Sequence, residues 1–260
     1  MKYRLNLCLV VCLALCQSAF AEDLFSDGNA REITPLTTLS AGTTMGGYPL
    51  FEGGRSWKLV SSKATSNNKD IRIGIAQMIS PQGGNYFAEM SVTAALGGGA
   101  GGEDGYFSAD ICNPAVTHLY RVNRGAGTTD NCLTVDPYAA TIRDKPITTL
   151  LIRVRNAQSN WRLYDVSLVL NLAPLGFQNT ATSDWSEMNI ASDSKKRAFL
   201  TKVFVWSRQL QDAVNKAIAY SKPQDAFAGV PPLSTLFEDG AAGLDTAHHH
   251  RGEAALGRNS

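Results

Sequence analysis

Apolar and polar positions alternate in short runs from residue 56 onward, and this pattern predicts β-strands. The runs are rich in β-branched and aromatic residues, and Gly, Pro, Asn or Asp bounds each of them. In one of these runs Ile71, Ile73 and Ile75 share a face, because strand side chains repeat with a period of two. The predicted strands cover residues 57–61, 70–79, 86–95, 106–111, 117–122 and 132–135.

The clearest hairpin joins a strand at 147–154 to a strand at 161–172 through a polar connection at 156–160. On the second strand apolar residues alternate strictly with polar ones, which indicates one buried face. Strands at this spacing without helices between them indicate an antiparallel sandwich or barrel rather than a parallel α/β sheet. The alternating apolar residues are Tyr164, Val166, Leu168, Leu170 and Leu172.

A long amphipathic helix follows the strands, from a cap at Ser192 or Asp193 to about residue 220, and Pro223 ends it. The chain is therefore predicted to be mainly β, an antiparallel sandwich-like sheet with one long C-terminal α-helix, and α+β overall. The apolar residues of the helix recur at steps of three and four. They are Phe199, Val203, Trp206, Leu210, Ala213, Ala217 and Tyr220.

The apolar stripe of this helix has three interpretations: packing on the sheet, pairing with a second copy of the chain, or lying on a membrane. A membrane-surface helix usually has a strongly basic polar face, whereas this one mixes Lys and Arg with Asp. Packing on the sheet is therefore favoured. A homodimer stays open because the same spacing suits helix pairing, with Phe199, Val203, Trp206 and Leu210 as candidate interface residues.

The chain divides into five segments by composition. A signal peptide at 1–21 precedes an extended lead-in at 22–55, which is rich in Thr, Ser and Gly. An antiparallel β domain at 56–176 and a helical segment at 177–222 follow. The remainder, 223–260, has no apolar periodicity and is predicted to be a disordered tail.

The first 21 residues have the three zones of a secretory signal peptide. Lys2 and Arg4 supply positive charge, residues 7–15 form an apolar run, and Ala19 and Ala21 fit a small-x-small cleavage site. The apolar run is shorter than the roughly 20 residues that a membrane-spanning helix needs. The sequence therefore predicts cleavage after Ala21, a periplasmic or secreted protein, and no stable membrane span after cleavage.

Cleavage would remove three of the five cysteines and leave Cys112 and Cys132. Two cysteines in an oxidising compartment predict one structural disulfide. It would stabilise a loop of this length by about 3 kcal/mol in the chain-entropy view. A redox-active pair is the alternative, but catalytic thiols are normally close in sequence, as in Cys-x-x-Cys.

The charge balance gives no reason to expect nucleic-acid binding. The chain has 24 Lys and Arg against 23 Asp and Glu. Removing Lys2 and Arg4 leaves 22 against 23, a net charge of −1. Without a basic surplus, little counterion release is available to drive binding to a phosphate backbone.

Histidine is scarce, which limits the catalytic arrangements that the chain could form. Of four histidines, His248, His249 and His250 lie in the predicted tail and His118 lies in the β domain. A Ser-His-Asp or Cys-His site would have to use His118, and no Gly-x-Ser-x-Gly motif accompanies it. His118 is therefore interpreted as a polar strand residue. The tail histidines predict weak, incidental metal affinity rather than a zinc site.

The glycine tract from Gly97 to Gly105 suggests a phosphate cradle or a calcium turn, and it matches neither well. A phosphate loop needs a helix after the glycines, whereas residues 106–108 are typical of a strand. The calcium repeat needs tandem copies, and this chain has one, with Glu103 in the Asp position. We expect a flexible hairpin loop, and no cofactor is predicted.

Two further groups of residues could serve a sugar-binding or sugar-cleaving site. Paired carboxylates are defined by their separation in space, so the sequence does not rank Glu89, Asp104, Asp110, Asp136 and Asp165. Aromatic residues could form a sugar-stacking face, but aromatic residues on strands are more often core. These are Trp57, Tyr86, Tyr106, Trp161 and Trp185.

The order of these features resembles that of uncharacterised exported proteins of Gram-negative bacteria. The features are the export segment, the two-cysteine segment, the strand at 161–172, Trp185 and the helix with Trp206. The resemblance covers about residues 110–220 and includes no catalytic motif, so it implies export without implying an activity.

These observations predict a non-enzymatic binding or assembly module of the bacterial envelope or the extracellular space. Its partner would be a protein or a glycan of unknown identity. The alternative is an extracellular hydrolase, including a carbohydrate-active one, that uses carboxylates not yet assigned.

Overall fold

The computed structural model describes residues 22–26, 29–31, 34–66, 71–82, 85–97, 110–125, 129–142, 145–159, 162–177, 181–219, 221 and 223–236. Several predicted features lie outside these residues: the predicted signal peptide at 1–21, the glycine tract from residue 98, Asp104, Tyr106, Trp161, Tyr220 and the three histidines at 248–250. At Tyr86 and Asp110 the description is limited to the backbone.

Four short strands form two small hairpins in the N-terminal segment. They are β1 (Phe25–Ser26) with β2 (Asn29–Ala30), and β3 (Thr44–Met45) with β4 (Tyr48–Pro49).

The remaining strands form one seven-stranded antiparallel sheet in the order β5-β6-β7-β11-β10-β9-β8. The prediction of a mainly β, antiparallel fold is therefore confirmed. The strands are β5 (Lys58–Ser66), β6 (Arg72–Gln82), β7 (Asn85–Gly97), β8 (Tyr120–Asn123), β9 (Asp130–Ile142), β10 (Lys145–Ser159) and β11 (Arg162–Asn171). The C-terminal end of the strand predicted at 106–111 is not a strand. Asp110–Cys112 forms a turn of 3-10 helix instead.

One face of this sheet, the inner face, carries the hydrophobic core. Register places Leu133 opposite Val154, Val154 opposite Val166, and Val166 opposite Val92, so a row of fully buried apolar side chains crosses four strands. Ala76 continues the row on β6. The alternation predicted on β11 is confirmed, because Tyr164, Val166, Leu168 and Leu170 are all fully buried.

On β6 the isoleucines share one face, as the sequence predicts, and that face is not the one that carries the main core. Ile73 and Ile75 lie on the outer face, whereas Ala76 and Met78 are fully buried on the inner face. Small residues are needed there, since a Cβ added to Gly74 would lie 3.0 Å from the ring of Phe25. The core side of this strand is therefore set by what packs on it rather than by its largest side chains.

A long helix packs on the inner face over β9, β10 and β11. It is α2 (Ser194–Ala217), and the short helix α1 (Glu187–Ser192) precedes it. The Asp193 carboxylate accepts a hydrogen bond from the Lys196 backbone N–H at 3.0 Å and caps α2, as the sequence predicts. The four candidate interface residues, Phe199, Val203, Trp206 and Leu210, are at most 7% exposed in the core of their own chain.

The segment at 22–55 is more than the extended lead-in that the sequence predicts, because it covers part of the inner face. Leu24, Met45 and Phe51 are buried in the main core. Its backbone also extends the sheet edge, since the Leu59 N–H donates to the Thr37 carbonyl at 2.9 Å. This segment was hard to recognise because its apolar residues are few and follow no strand or helix period.

The first part of the segment predicted to be a disordered tail, residues 223–236, is folded onto the core. Val230, Leu233 and Leu236 are buried in the core, and the Leu233 N–H donates to the Gly53 carbonyl at 2.8 Å. Residues 223–236 are thus packed, and the prediction of disorder was wrong there. Residues 237–260 lie outside the described part of the chain.

Within the described ranges, no helix combines the length and the apolar character that crossing a membrane requires.

The packing of α2 predicts which helix positions control stability. Leu210→Ala should lower the free energy of unfolding by about 2–5 kcal/mol, because it leaves a cavity at a fully buried site. Val205→Ala is the control, since Val205 is 58% exposed on the same helix and should change stability by no more than about 0.5 kcal/mol. Urea unfolding followed by circular dichroism measures both, and equal effects would contradict this packing.

Candidate functional site

The disulfide predicted from the sequence is present and lies on the outer face of the sheet. Cys112 and Cys132 are bonded across 20 residues, with 5.6 Å between their Cα atoms. The Arg121 guanidinium donates to the Cys112 carbonyl at 2.9 Å and to the Asn113 carbonyl at 3.1 Å. These contacts fix the start of the Cys112–Cys132 segment against the outer face of β8 and β9.

His118 lies in this disulfide-bounded segment and is paired with Asp136. Its Nδ1 is 2.7 Å from one carboxylate oxygen of Asp136, and the Leu119 N–H donates to the other at 3.0 Å. The His118 side chain is only 9% exposed, and its Nε2 has no hydrogen-bond partner among the residues that the structure describes. An aspartate that holds one nitrogen of an imidazole is the arrangement that orients a general base.

The described part of the chain brings no nucleophile to this imidazole. Nε2 of His118 meets no hydroxyl or thiol within hydrogen-bond distance in the described part of the chain. Thr134, two residues before Asp136 on β9, has a buried hydroxyl that likewise lacks a partner among the described side chains. Both groups are enclosed, so the geometry offers a substrate no direct approach to them.

A second polar cluster on the outer face joins three strands. The Arg155 guanidinium on β10 contacts Asp130 on β9 at 3.0 Å and Asp165 on β11 at 3.3 Å. All three side chains are at least 86% buried. Burial outweighs the attraction of Arg155 and raises the pKa of Asp165 above its ordinary value.

The carboxylates that the sequence left unranked are thus separated by the fold. Asp136 is paired with His118, and Asp165 is paired with Arg155. Glu89 lies on the outer face of β7, opposite Val169 of β11. Each described carboxylate of that group therefore has a separate strand and separate neighbours.

A cavity of about 170 Å³ lies between the N-terminal segment and the inner face of β6 and β7. Its apolar lining includes Trp57, Met78 and Met90, and its polar lining includes Glu52 and Arg55. Apolar pockets with a few polar groups are the usual form of small-ligand sites. The other lining residues are Leu39, Ser40, Ala41, Thr43, Leu50, Phe51 and Ser56.

Hydrogen bonds hold the polar side of this cavity in place. The Trp57 indole N–H donates to the Glu52 carbonyl at 2.8 Å, and one Glu52 carboxylate oxygen accepts from the Gly42 N–H at 2.6 Å. The Arg55 guanidinium lies 4.1 Å from the ring centre of Phe87, and its Nε donates to the Ser80 hydroxyl at 3.2 Å. Partial burial lowers the pKa of Arg55, which nevertheless stays cationic near neutrality.

No sequence pattern predicts this cavity. Trp57, a candidate for a sugar-stacking face or for the core, is a buried core residue that also lines the cavity. Trp185 is buried too and packs on Phe177 and Phe199. Arg55 and Glu52 carried no motif, because the cavity depends on the path of the N-terminal segment over the sheet.

Among the described residues, no group of three or more His, Cys, Asp or Glu side chains could hold a metal ion. The chain matches no protein-family model, no curated protein and no solved structure.

The raised pKa of Asp165 predicts a pH dependence of stability. Because the folded protein holds this proton more tightly than the unfolded chain does, the stabilisation is complete below the ordinary pKa of 3.8 and is lost as pH rises through the folded value. The unfolding free energy of wild type minus that of Asp165→Asn should therefore fall as pH rises from about 3 to about 7.

Urea titrations at several pH values measure this difference. Asp225→Asn is the matched control, since Asp225 is exposed. A difference between wild type and Asp165→Asn that rises with pH, or one that is flat while the control behaves identically, would contradict the assignment.

Proposed function

We propose that this chain is an exported, non-enzymatic binding module and that the cavity beside Trp57 is its ligand site. The observation that carries the proposal is the combination of an apolar floor with two charged side chains of opposite sign, Glu52 and Arg55, on one lining. An apolar floor supplies affinity through burial, and a few fixed polar groups supply orientation.

The size of the cavity limits what it can hold. At about 170 Å³ it is smaller than the roughly 300–1,000 Å³ that drug-sized ligands occupy. It has the space of roughly six water molecules at liquid density. It therefore suits a single small molecule or one side chain of a peptide rather than an oligosaccharide.

Two features support export. The first 21 residues have the three zones of a signal peptide. The two cysteines that lie beyond that segment are joined, which is the state expected in an oxidising compartment. We therefore place the mature protein in the periplasm or outside the cell.

A hydrolase is the second candidate, and one observation favours it: the Asp136–His118 pair, in which Nε2 of the imidazole has no partner within the described ranges. The arrangement would need an opening of the Cys112–Cys132 segment and a nucleophile or water brought to Nε2. The cavity is ranked above it because it already has space for a ligand next to its polar groups.

Binding in the cavity predicts a specific pattern in the methionine methyl spectrum. The chain has Met45, Met78, Met90 and Met188 after residue 21, and Met78 and Met90 line the cavity. Titration with indole should shift the ¹³C-methyl signals of Met78 and Met90. Met188 is 79% exposed on α1 and should not move.

Ala41→Trp should abolish these shifts, because Ala41 is an exposed residue of the lining and a large side chain there fills the mouth. Ala139→Trp, at an exposed position on β9, is the control and should leave the titration unchanged. The absence of any shift at Met78 and Met90 would remove the cavity as a ligand site. Esterase or glycosidase activity lost in His118→Gln would favour the hydrolase instead.

Export predicts the covalent state of the native protein. Its mass should correspond to a chain that begins at Glu22 and carries one disulfide, because cleavage after Ala21 removes the other cysteines. Intact mass spectrometry with and without reduction, on protein from the native host, measures this. An intact Met1 start, or free thiols at Cys112 and Cys132, would contradict the proposed location.

A further inference from the structure

We propose that the cavity beside Trp57 binds a soft monovalent metal ion, copper(I), between the thioether sulfurs of Met78 and Met90. The inference rests on the proposed binding function and goes beyond it by naming the ligand class. Its basis is that methionines from two neighbouring strands lie side by side on the lining of one cavity.

The register of the sheet places the two methionines next to each other. Met78 on β6 is directly opposite Met90 on β7, and both line the cavity from the inner face. Residues that face each other in this way have Cβ atoms roughly 4.5–5.5 Å apart. Because a methionine side chain is unbranched and has three rotatable bonds, the two sulfurs can turn toward the same ion.

The methionines lie where the cavity replaces the helix as the neighbour of this row of side chains. From Met90 the row continues through Leu168, Ile152 and Val135, which are fully buried on strands that α2 covers. Leucine, isoleucine and valine fill a core with well-defined rotamers, whereas methionine is flexible and specifies packing less well. The change from branched side chains to thioethers therefore coincides with the cavity.

Thioether ligands select the kind of metal. Methionine sulfur is soft and uncharged, which favours copper(I) over calcium and magnesium, since those ions prefer oxygen. Two uncharged ligands do not offset the charge of the ion, and burying a charge is costly, so a monovalent ion is favoured over a divalent one. Cys112 and Cys132 are bonded to each other, so neither offers a competing thiolate.

Trp57 and Glu52 add groups that suit a cation. The Trp57 indole N–H donates to the Glu52 carbonyl at 2.8 Å, which holds the ring on the lining, and the face of an indole attracts cations. The exposed Glu52 side chain adds negative charge at the rim. The guanidinium of Arg55 contacts the Ser80 hydroxyl and the Phe87 ring, and both of these partners lie outside the lining.

The size of the cavity allows the ion to enter with water. A volume of about 170 Å³ has room for one ion and several water molecules. The rim includes the exposed residues Ser40, Ala41 and Ser56, so the lining reaches the protein surface. Since methionine adapts to irregular shapes, the sulfurs can close on the ion without a change in the strands.

Silver(I) tests the inference, because it is a soft monovalent ion that stays in one oxidation state during a titration. The mature chain would be titrated with silver nitrate in chloride-free buffer while the methionine ¹³C-methyl signals are followed. We expect Met78 and Met90 to shift and saturate together. Met188, a single thioether that is 79% exposed, should bind at least about tenfold more weakly.

Three controls belong to the same titration. Copper(I) kept reduced with ascorbate should shift the same two signals, and zinc sulfate should shift neither. Met45 is fully buried and lies outside the lining, so its signal should not move. The methyl signals report the cavity separately from the histidines at 248–250, which are a second source of metal binding.

Leucine variants assign the ligands. Met78→Leu and Met90→Leu each remove one sulfur at nearly constant volume, so the core should stay packed. Either should weaken silver binding at least about tenfold, as read from the methionine that remains. Met45→Leu makes the same change at a fully buried methionine away from the cavity and should bind silver as wild type does. Indole should still bind all three variants, which shows that the cavity is intact.

The outcomes separate this inference from the proposal on which it rests. If indole shifts Met78 and Met90 but silver does not, or if the leucine variants at these positions bind silver as wild type does, the metal inference is wrong and the ligand site stands. If silver shifts them and indole does not, the metal inference stands without an organic ligand. If neither shifts them, both are wrong.

Discussion

Burial of the inner face of the sheet is the constraint on which the rest of this structure depends. The apolar row that crosses the strands from Leu133 to Ala76 is fully buried, and an antiparallel sheet with such a face has to be covered. The cover comes from three separate parts of the chain: α2, the N-terminal segment at 22–55 and the segment at 223–236. They meet at Phe51, whose ring lies 5.6 Å from that of Trp206 and 5.8 Å from that of Phe227.

The outer face is built on a different principle, with polar groups and one covalent bond. Taking a charge out of water costs several kcal/mol unless a partner compensates it. Arg155 therefore lies between two carboxylates, and Asp136 is satisfied by His118 and the Leu119 N–H. This explains why residues that resemble catalytic groups in the sequence are paired with each other. The disulfide holds the segment with His118 against the strand that carries Asp136.

Strong local patterns made part of the fold predictable. The alternation on β11 and the helix with its Asp193 cap were both recognisable, because each depends on neighbouring residues alone. The prediction for β9 stopped at residue 135, whereas the strand runs to Ile142 through Pro137. Proline is tolerated there because β8 pairs only as far as Val135, so among the described strands β10 alone pairs with β9 at Pro137.

The candidate site was not predictable for a related reason. The path of the N-terminal segment over β6 and β7 sets the positions of Glu52, Arg55 and Trp57. A strand or helix period in the sequence does not encode that path. Burial in this segment depends on partners far away in sequence, as in the bond from the Leu233 N–H to the Gly53 carbonyl.

The division of the cover also explains where the cavity lies. A regular helix presents a continuous ridge of side chains, and α2 fills the inner face over β9, β10 and β11 with a repeating set of apolar residues.

The irregular N-terminal segment has no such ridge. Over β6 and β7 the sheet offers small or flexible residues, Gly74, Ala76, Met78 and Met90, and turns of the N-terminal segment lie above them. Turns bring backbone and charged side chains close to that apolar surface, because they cannot bury all of their polar groups in hydrogen bonds with one another. A space with an apolar floor and a polar rim is the result. The same irregularity that hides this region from sequence patterns therefore gives it a surface that combines apolar and polar groups.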